Sequence, residues 1–96
     1  MIKIKVHTIL GLSEIIGRRE IEFSLSQGST VEHLLHQMVD TWGERLSTAL
    51  FEPGQTGLLP HIRLMVNGRD MAFLDGMGTV LQDGDEVLIF PPVAGG

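Results

Sequence analysis

Residues 31–42 read VEHLLHQMVDTW, and their apolar side chains recur at helical spacing. The apolar positions follow i, i+3, i+4, i+7, i+8 and i+11, so they share one face of an α-helix: Val31, Leu34, Leu35, Met38, Val39 and Trp42. Ser29 and Glu32 have the spacing of a capping box, and Gly28 and Gly43 bound the segment. The pattern predicts one amphipathic helix, which Leu46, Ala49 and Leu50 extend by a turn or two.

Two alternating segments precede this helix. In residues 2–8, Ile2, Ile4 and Val6 alternate with polar side chains, and residues 18–25 alternate in the same way. Alternation with a period of two is typical of a strand that buries one face. Gly17-Arg18 marks the simplest turn between them, so the N-terminal part is predicted to be a β-hairpin.

Further strand signals follow the helix, after a loop over residues 51–60 that is rich in Pro and Gly. His61–Val66 is predicted to be a strand ended by Asn67-Gly68, a strong hairpin signal, and Met71–Leu74 a short returning strand. Val87–Phe90 is a continuous apolar run, which predicts a central strand buried on both faces, beside the first strand.

The order of elements is therefore ββαβ(β)β. It predicts an α+β fold, with a mixed sheet of four to five strands packed on one main helix. A chain of 96 residues has room for one domain. We expect that domain to span residues 1–90, followed by a flexible C-terminal tail over residues 91–96 that ends in Gly-Gly.

The amino-acid composition excludes or disfavours several classes of function. The absence of cysteine excludes a disulfide framework, a thiolate metal site and a thiol catalyst. Seven basic residues against twelve acidic ones give a net charge of −5, which disfavours nucleic acid as a partner. No apolar run approaches membrane-spanning length, and the alternating N-terminus lacks the apolar region of a signal peptide. We therefore expect a cytoplasmic protein with no membrane partner.

The chain contains no recognisable catalytic motif. His33 and His36 are spaced i, i+3 on the helix and could ligate a metal, but no third ligand is evident, so we expect solvated histidines and no metal. Trp42 and the methionines are expected to fill the core or its edge: Met38, Met65, Met71 and Met77. The acidic residues near the C-terminus favour turn chemistry, with a partner's arginine as the alternative: Asp83, Asp85 and Glu86.

The C-terminal segment has a different character. After Phe90, Pro91-Pro92 favours an extended polyproline conformation, and Val93-Ala94-Gly95-Gly96 adds little side-chain bulk. Six extended residues span up to about 20 Å. Because glycine has no Cβ, Gly95 and Gly96 could pass through a narrow channel in a partner. The simpler interpretation is a frayed glycine tail.

Three motifs together resemble a known family. They are Val66-Asn67-Gly68-Arg69, residues 81–87 with the sequence LQDGDEV, and residues 90–96 with the sequence FPPVAGG. With them the whole chain resembles the ubiquitin-like β-grasp sulfur carriers, which include the molybdopterin synthase small subunit (MoaD) and the thiamine sulfur carrier (ThiS). The tail is more similar to the molybdopterin type.

The resemblance implies a carrier rather than an enzyme. A MoeB-like adenylating enzyme would activate the carboxylate of Gly96, consuming ATP, and a sulfur donor would convert it to a thiocarboxylate. The residues that enter the partner would be Pro91, Pro92, Val93, Ala94 and Gly95, with Phe90 packing against it at the base of the tail. The large subunit of molybdopterin synthase (MoaE-like) would supply the catalytic groups, and the sulfur would go to a pyranopterin precursor of the molybdenum or tungsten cofactor. No cofactor bound to this chain is implied.

Three alternatives remain open. The chain could carry sulfur for thiamine, tRNA or cysteine synthesis. It could be a protein modifier whose Gly96 forms isopeptide bonds with lysines. It could also be a β-grasp interaction domain without tail chemistry, for which deletion of Gly95-Gly96 would be harmless.

Overall fold

A mixed sheet forms the centre of the fold, and the computed structural model describes it within residues 1–55 and 57–90. Five strands are found there: β1 (Ile2–Thr8), β2 (Glu20–Leu25), β3 (Arg63–Val66), β4 (Arg69–Asp70) and β5 (Glu86–Phe90). Their order is β2-β1-β5-β3-β4. β5 runs parallel to β1 and antiparallel to β3, while β1–β2 and β3–β4 are antiparallel pairs. The predicted α+β class and the place of the last strand beside the first are confirmed.

The described helices are α1 (Leu10–Ile16), α2 (Val31–Trp42) and α3 (Glu44–Leu50), with 3₁₀ turns at Pro53–Gln55, Met71–Phe73 and Gly76–Gly78. α2 covers one face of the sheet, as its stripe predicts, and buries four side chains completely: Val31, Leu34, Leu35 and Met38. Full burial of such a side chain contributes about 2 kcal/mol. Trp42 is partly buried and meets the ring of Phe23 edge to face, with centroids 5.7 Å apart. No helix within residues 1–55 and 57–90 is long and apolar enough to cross a membrane.

The N-terminus of α2 differs from the prediction by one residue. Thr30, not Ser29, is the N-cap, and His33 takes the place predicted for Glu32. The Thr30 hydroxyl accepts from the His33 amide at 3.4 Å, and the His33 Nδ1 atom accepts from the Thr30 amide at 3.1 Å. Imidazole thus completes the capping box in the role that Glu or Gln usually fills.

The predicted direct hairpin between the first two strands is wrong, because α1 lies between them. Leu12 and Ile16, one helical turn apart, are buried in the core, and Gly17 ends the helix with φ of 85°. The predicted pairing of the strands themselves is confirmed, with Ile4 opposite Phe23.

Three further expectations about strands need correction. β3 begins at Arg63 rather than His61, because Ile62 closes a turn by donating to the Leu59 carbonyl. The returning strand is β4, whereas Met71–Phe73 forms a 3₁₀ turn capped by the Asp70 carboxylate. β5 is buried on one face only, since its alternate residues Leu88 and Phe90 are partly exposed.

Candidate functional site

The C-terminal end of β5 positions the base of the predicted tail. Ile89 is paired in register with Thr8 of β1 and Leu64 of β3, and Phe90 is paired with Arg63. Ile89 is therefore held between two strands in the middle of the sheet, and Phe90, the last residue of β5, is paired with β3 alone. Because β5 is parallel to β1, both strands end on the same side of the molecule, and we call this the tail end of the sheet.

An apolar strip lies on the sheet face opposite α2. Met65 and Leu88 are directly paired across β3 and β5, and Phe90 follows on the same face of β5. All three side chains are partly buried. Directly paired residues on one face are close enough to contact each other, so these side chains form a continuous apolar surface. Phe90 lies at one end of this strip, and its contact with a partner stays a prediction.

Polar residues of β1, β2 and β5 border this strip: His7, Glu20 and Glu86. His7 is paired with Leu88, and its Nε2 atom lies 2.8 Å from the carboxylate of Glu86. Its Nδ1 atom lies 3.6 Å from the carboxylate of Glu20. More than half of each glutamate side chain is exposed, so these pairs contribute less than about 1 kcal/mol each. These three residues form a polar border beside the apolar strip on the sheet face opposite α2.

A hydrogen-bonded turn network fixes the opposite, N-terminal end of β5. The amide of Asn67 donates to one oxygen of Asp85 at 2.8 Å, and the other oxygen accepts from the Gln82 backbone at 2.8 Å. Asn67 also accepts from the backbone amide of Glu86 at 2.9 Å. The Asp83 carboxylate accepts from the backbone of Lys3 at 2.8 Å. Turn chemistry is therefore confirmed for Asp83 and Asp85.

Within the described part of the chain, no group of three or more His, Cys, Asp or Glu residues could hold a metal ion. His33 belongs to the capping box, and His36 meets the ring of Phe51 edge to face at 5.7 Å. Met38 is fully buried, and Met71 and Met77 are partly buried against the core, as predicted. Met65 is partly buried on the opposite face of the sheet, in the apolar strip.

The remaining predicted site residues lie outside the described ranges: Pro91, Pro92, Val93, Ala94, Gly95 and Gly96. Their roles, and the division into a domain over 1–90 and a tail over 91–96, stay predictions.

Two features near the tail end were not predicted from the sequence. Leu10 is 57% exposed and has a left-handed backbone, with φ of 54°. Arg18 and Arg19 lie beside Thr8, because their carbonyls accept from its hydroxyl and its amide at 3.0 and 2.8 Å. The sequence between the first two strands was interpreted as a simple turn, so neither feature was expected. Leucine rarely adopts a positive φ, so its presence gave no indication of one.

A mixed sheet whose last strand lies between the first and third strands, with a helix on one face, defines a ubiquitin-like β-grasp domain. The chain belongs to the ThiS family, whose profile matches residues 11–96. It is 39% identical over 83 residues to small archaeal modifier protein 3 of Haloferax volcanii, covering 86% of this chain and 87% of that protein. The family consists of small carriers and modifiers.

Two further similarities agree with this. The solution structure of small archaeal modifier protein 1 from Methanosarcina acetivorans superimposes with a TM-score of 0.85 at 33% identity, covering 100% of this chain and 98% of that one. The sulfur carrier protein CysO of Mycobacterium tuberculosis is 40% identical over 52 residues, which is 53% of this chain and 56% of that protein. The predicted ubiquitin-like β-grasp fold is confirmed.

Proposed function

We propose that this chain is a sulfur carrier that acts through the carboxylate of Gly96. One carboxylate oxygen attacks the α-phosphorus of ATP on an activating enzyme, and pyrophosphate leaves. Hydrosulfide then attacks the acyl carbon of the adenylate, AMP leaves with the oxygen and the S–H proton is lost, so that a thiocarboxylate remains. Members of the family partner with activating enzymes and synthases.

The observation that carries this proposal is the position of Phe90. The residue lies at the end of a strand paired on both sides, and the six residues after it span up to about 20 Å when extended. A strand paired on both sides, followed by such a segment, suits delivery of a carboxylate to a partner's active site. The absence of cysteine supports the same conclusion, because no side-chain thiol could carry the sulfur.

The apolar strip supports a role in docking. Met65, Leu88 and Phe90 lie on the sheet face opposite α2, and Phe90 directly precedes the segment that would enter the partner. Apolar side chains at the centre of an interface contribute most of its binding energy. We propose that this strip contacts the activating enzyme and, later, the protein on which sulfur is transferred.

For the sulfur acceptor, we propose the pyranopterin precursor of the molybdenum or tungsten cofactor, on a MoaE-like large subunit. The support is the sequence FPPVAGG over residues 90–96. We expect thiocarboxylated chain, mixed with that subunit and the precursor, to revert to the carboxylate mass as dithiolene forms. Unchanged mass with this acceptor, together with sulfur loss to thiamine, tRNA or cysteine precursors, would contradict the assignment.

The carrier proposal itself is tested by mass spectrometry of the intact chain. With ATP, the adenylating enzyme of the same organism and sulfide, we expect a gain of about 16 Da, since one oxygen is exchanged for sulfur. The gain should depend on ATP, and omission of sulfide should leave the adenylate. If neither the adenylate nor the mass gain were detected after incubation, the result would count against the proposal.

A second candidate function is protein modification through an isopeptide bond from Gly96 to lysine. The similarity to small archaeal modifier protein 3 over 86% of the chain favours it. The two functions share the activated carboxylate and differ in the nucleophile that attacks it.

Modification predicts a ladder of conjugates on a denaturing gel that depends on Gly96. The chain's own lysines are Lys3 and Lys5, both exposed on β1. In the variant with Lys3→Arg and Lys5→Arg, the ladder should persist wherever other proteins accept the chain, and bands linking copies through these lysines should vanish. Cells that show thiocarboxylate and no ladder would exclude this candidate.

A further inference from the structure

Leu10 has a backbone conformation that leucine rarely adopts. Its φ of 54° lies in the left-handed region, where the Cβ atom crowds the backbone. Within residues 1–55 and 57–90, Asn67 is the other non-glycine residue there, with φ of 52°. Asn67 is accounted for, because asparagine suits a tight hairpin turn and its amide joins the network at the start of β5.

No comparable stabilisation accounts for Leu10. Its carbonyl accepts from the Ser13 hydroxyl at 2.7 Å, but any residue could supply that carbonyl. Its side chain is 57% exposed, so core burial does not offset the strain. Strained backbone that persists in a fold occurs preferentially at functional positions. Burial of Leu12 and Ile16 holds the backbone of α1 in place from Leu10 onward, but it does not account for an exposed leucine at this strained position.

Leu10 lies at the tail end of the sheet. It follows Thr8 by two residues, and Thr8 is the register partner of Ile89, the residue before Phe90. A protein that receives residues 91–96 must approach this end of the molecule. An exposed leucine here lies where such a partner would make contact.

The same end carries three of the chain's five arginines. Arg18 and Arg19 are bonded through their carbonyls to Thr8, and Arg63 is paired with Phe90. Arg18 and Arg19 are exposed and form no ion pair within the described part of the chain. Arg63 is 76% exposed and lies 3.7 Å from Asp70, a loose pair. Glu20 and Asp70 lie at this end too, so the charges here without a partner among the described residues are those of Arg18 and Arg19. Two exposed, unpaired guanidinium groups favour an acidic surface on the partner.

We propose that Leu10 is an apolar anchor for the activating enzyme and that Arg18, Arg19 and Arg63, at the same end of the sheet, contact that enzyme as well. The matching surface on that enzyme is an apolar pocket bordered by carboxylates, beside the channel that receives the tail. This rests on the proposed function only in naming the activating enzyme as the partner. Strain in the free chain is retained because it holds the leucine side chain in place for binding.

The first test is the substitution Leu10→Gly. Glycine relieves the strain, so the unfolding midpoint should rise by about 2–4 °C. Removal of the anchor should weaken binding to the purified adenylating enzyme, measured by calorimetry without ATP, by about tenfold or more. The matched control is Val80→Ser, which removes another exposed apolar side chain, 48% exposed, beside the N-terminus of α2. It should leave binding unchanged.

The second test reverses charge. Arg18→Glu with Arg19→Glu should weaken binding by more than tenfold at low salt, with a smaller loss at high salt, because screening weakens exposed charge pairs. Arg45→Glu is the control, since Arg45 is an exposed arginine on α3.

The outcomes separate the two proposals. Undiminished binding by Leu10→Gly, or equal losses in the arginine variants and Arg45→Glu, overturns the inference. Wild-type chain that fails to bind the enzyme overturns it as well. Wild-type chain that binds, loses affinity in both variants and is never adenylated supports the docking surface and contradicts the proposed function.

Discussion

Deletion of Gly95 and Gly96 is expected to abolish thiocarboxylate formation, with adenylation reduced by at least about 100-fold. The truncated chain still ends in a carboxylate, on Ala94, but that group falls about 7 Å short. A reacting group displaced by about 1 Å can already lower a rate by about 100-fold. ATP–pyrophosphate exchange on the activating enzyme and the mass of the intact chain measure the effect.

The control for this deletion keeps the length of the chain. Gly96→Ala adds one Cβ atom where the proposed channel is narrow, so a partial loss of about tenfold is expected. Both variants should unfold within about 1 °C of the wild type, since the changes lie beyond the predicted domain over residues 1–90. Full exchange activity in the deletion variant would leave the chain as an interaction domain without tail chemistry.

The sequence predicted α2 well because its pattern is long and strongly periodic. α1 was missed because it has seven residues, begins without a side-chain cap and includes Gly11. Leu12 and Ile16 supply its buried positions, too few to establish a period. The capping box was predicted one residue too early because His33 is an unusual partner for an N-cap threonine. A secondary-structure element can be predicted from sequence when its apolar pattern repeats several times. A short element such as α1 forms because of its tertiary packing, which the sequence pattern does not show.

The sequence predicted part of the candidate site and missed the rest for a different reason. Phe90 and the tail are contiguous, so they form a motif that can be read directly. Leu10, Arg19 and Arg63 are far apart in sequence and lie at the same end of the sheet because β1 and β3 flank β5 in a particular register. The same sheet explains the error about β5. A continuous apolar run indicates that both faces of a strand are shielded from water. The second face of β5 could be shielded by a partner protein instead of by a helix of this chain.

The substitution Ile89→Ala is expected to lower the free energy of unfolding by about 3–4 kcal/mol. Ile89 is fully buried on β5, the strand that joins both halves of the sheet, and its side chain belongs to the hydrophobic core. Small domains unfold with about 5–15 kcal/mol, so the variant should lose a large part of its stability. Chemical denaturation measures this loss, and a change below about 1 kcal/mol would show that the core had refilled the space.

Leu88→Ala is the matched control for this substitution, one residue away on the opposite face of the strand. Leu88 is partly exposed beside Met65, so its truncation should lower stability by about 1 kcal/mol or less. For binding to the activating enzyme, the order of the two effects should be reversed. Well below its unfolding midpoint, Ile89→Ala should bind the activating enzyme as the wild type does, whereas Leu88→Ala should bind several-fold more weakly. Since β5 carries both side chains, such a result would assign its inner face to folding and its outer face to the partner.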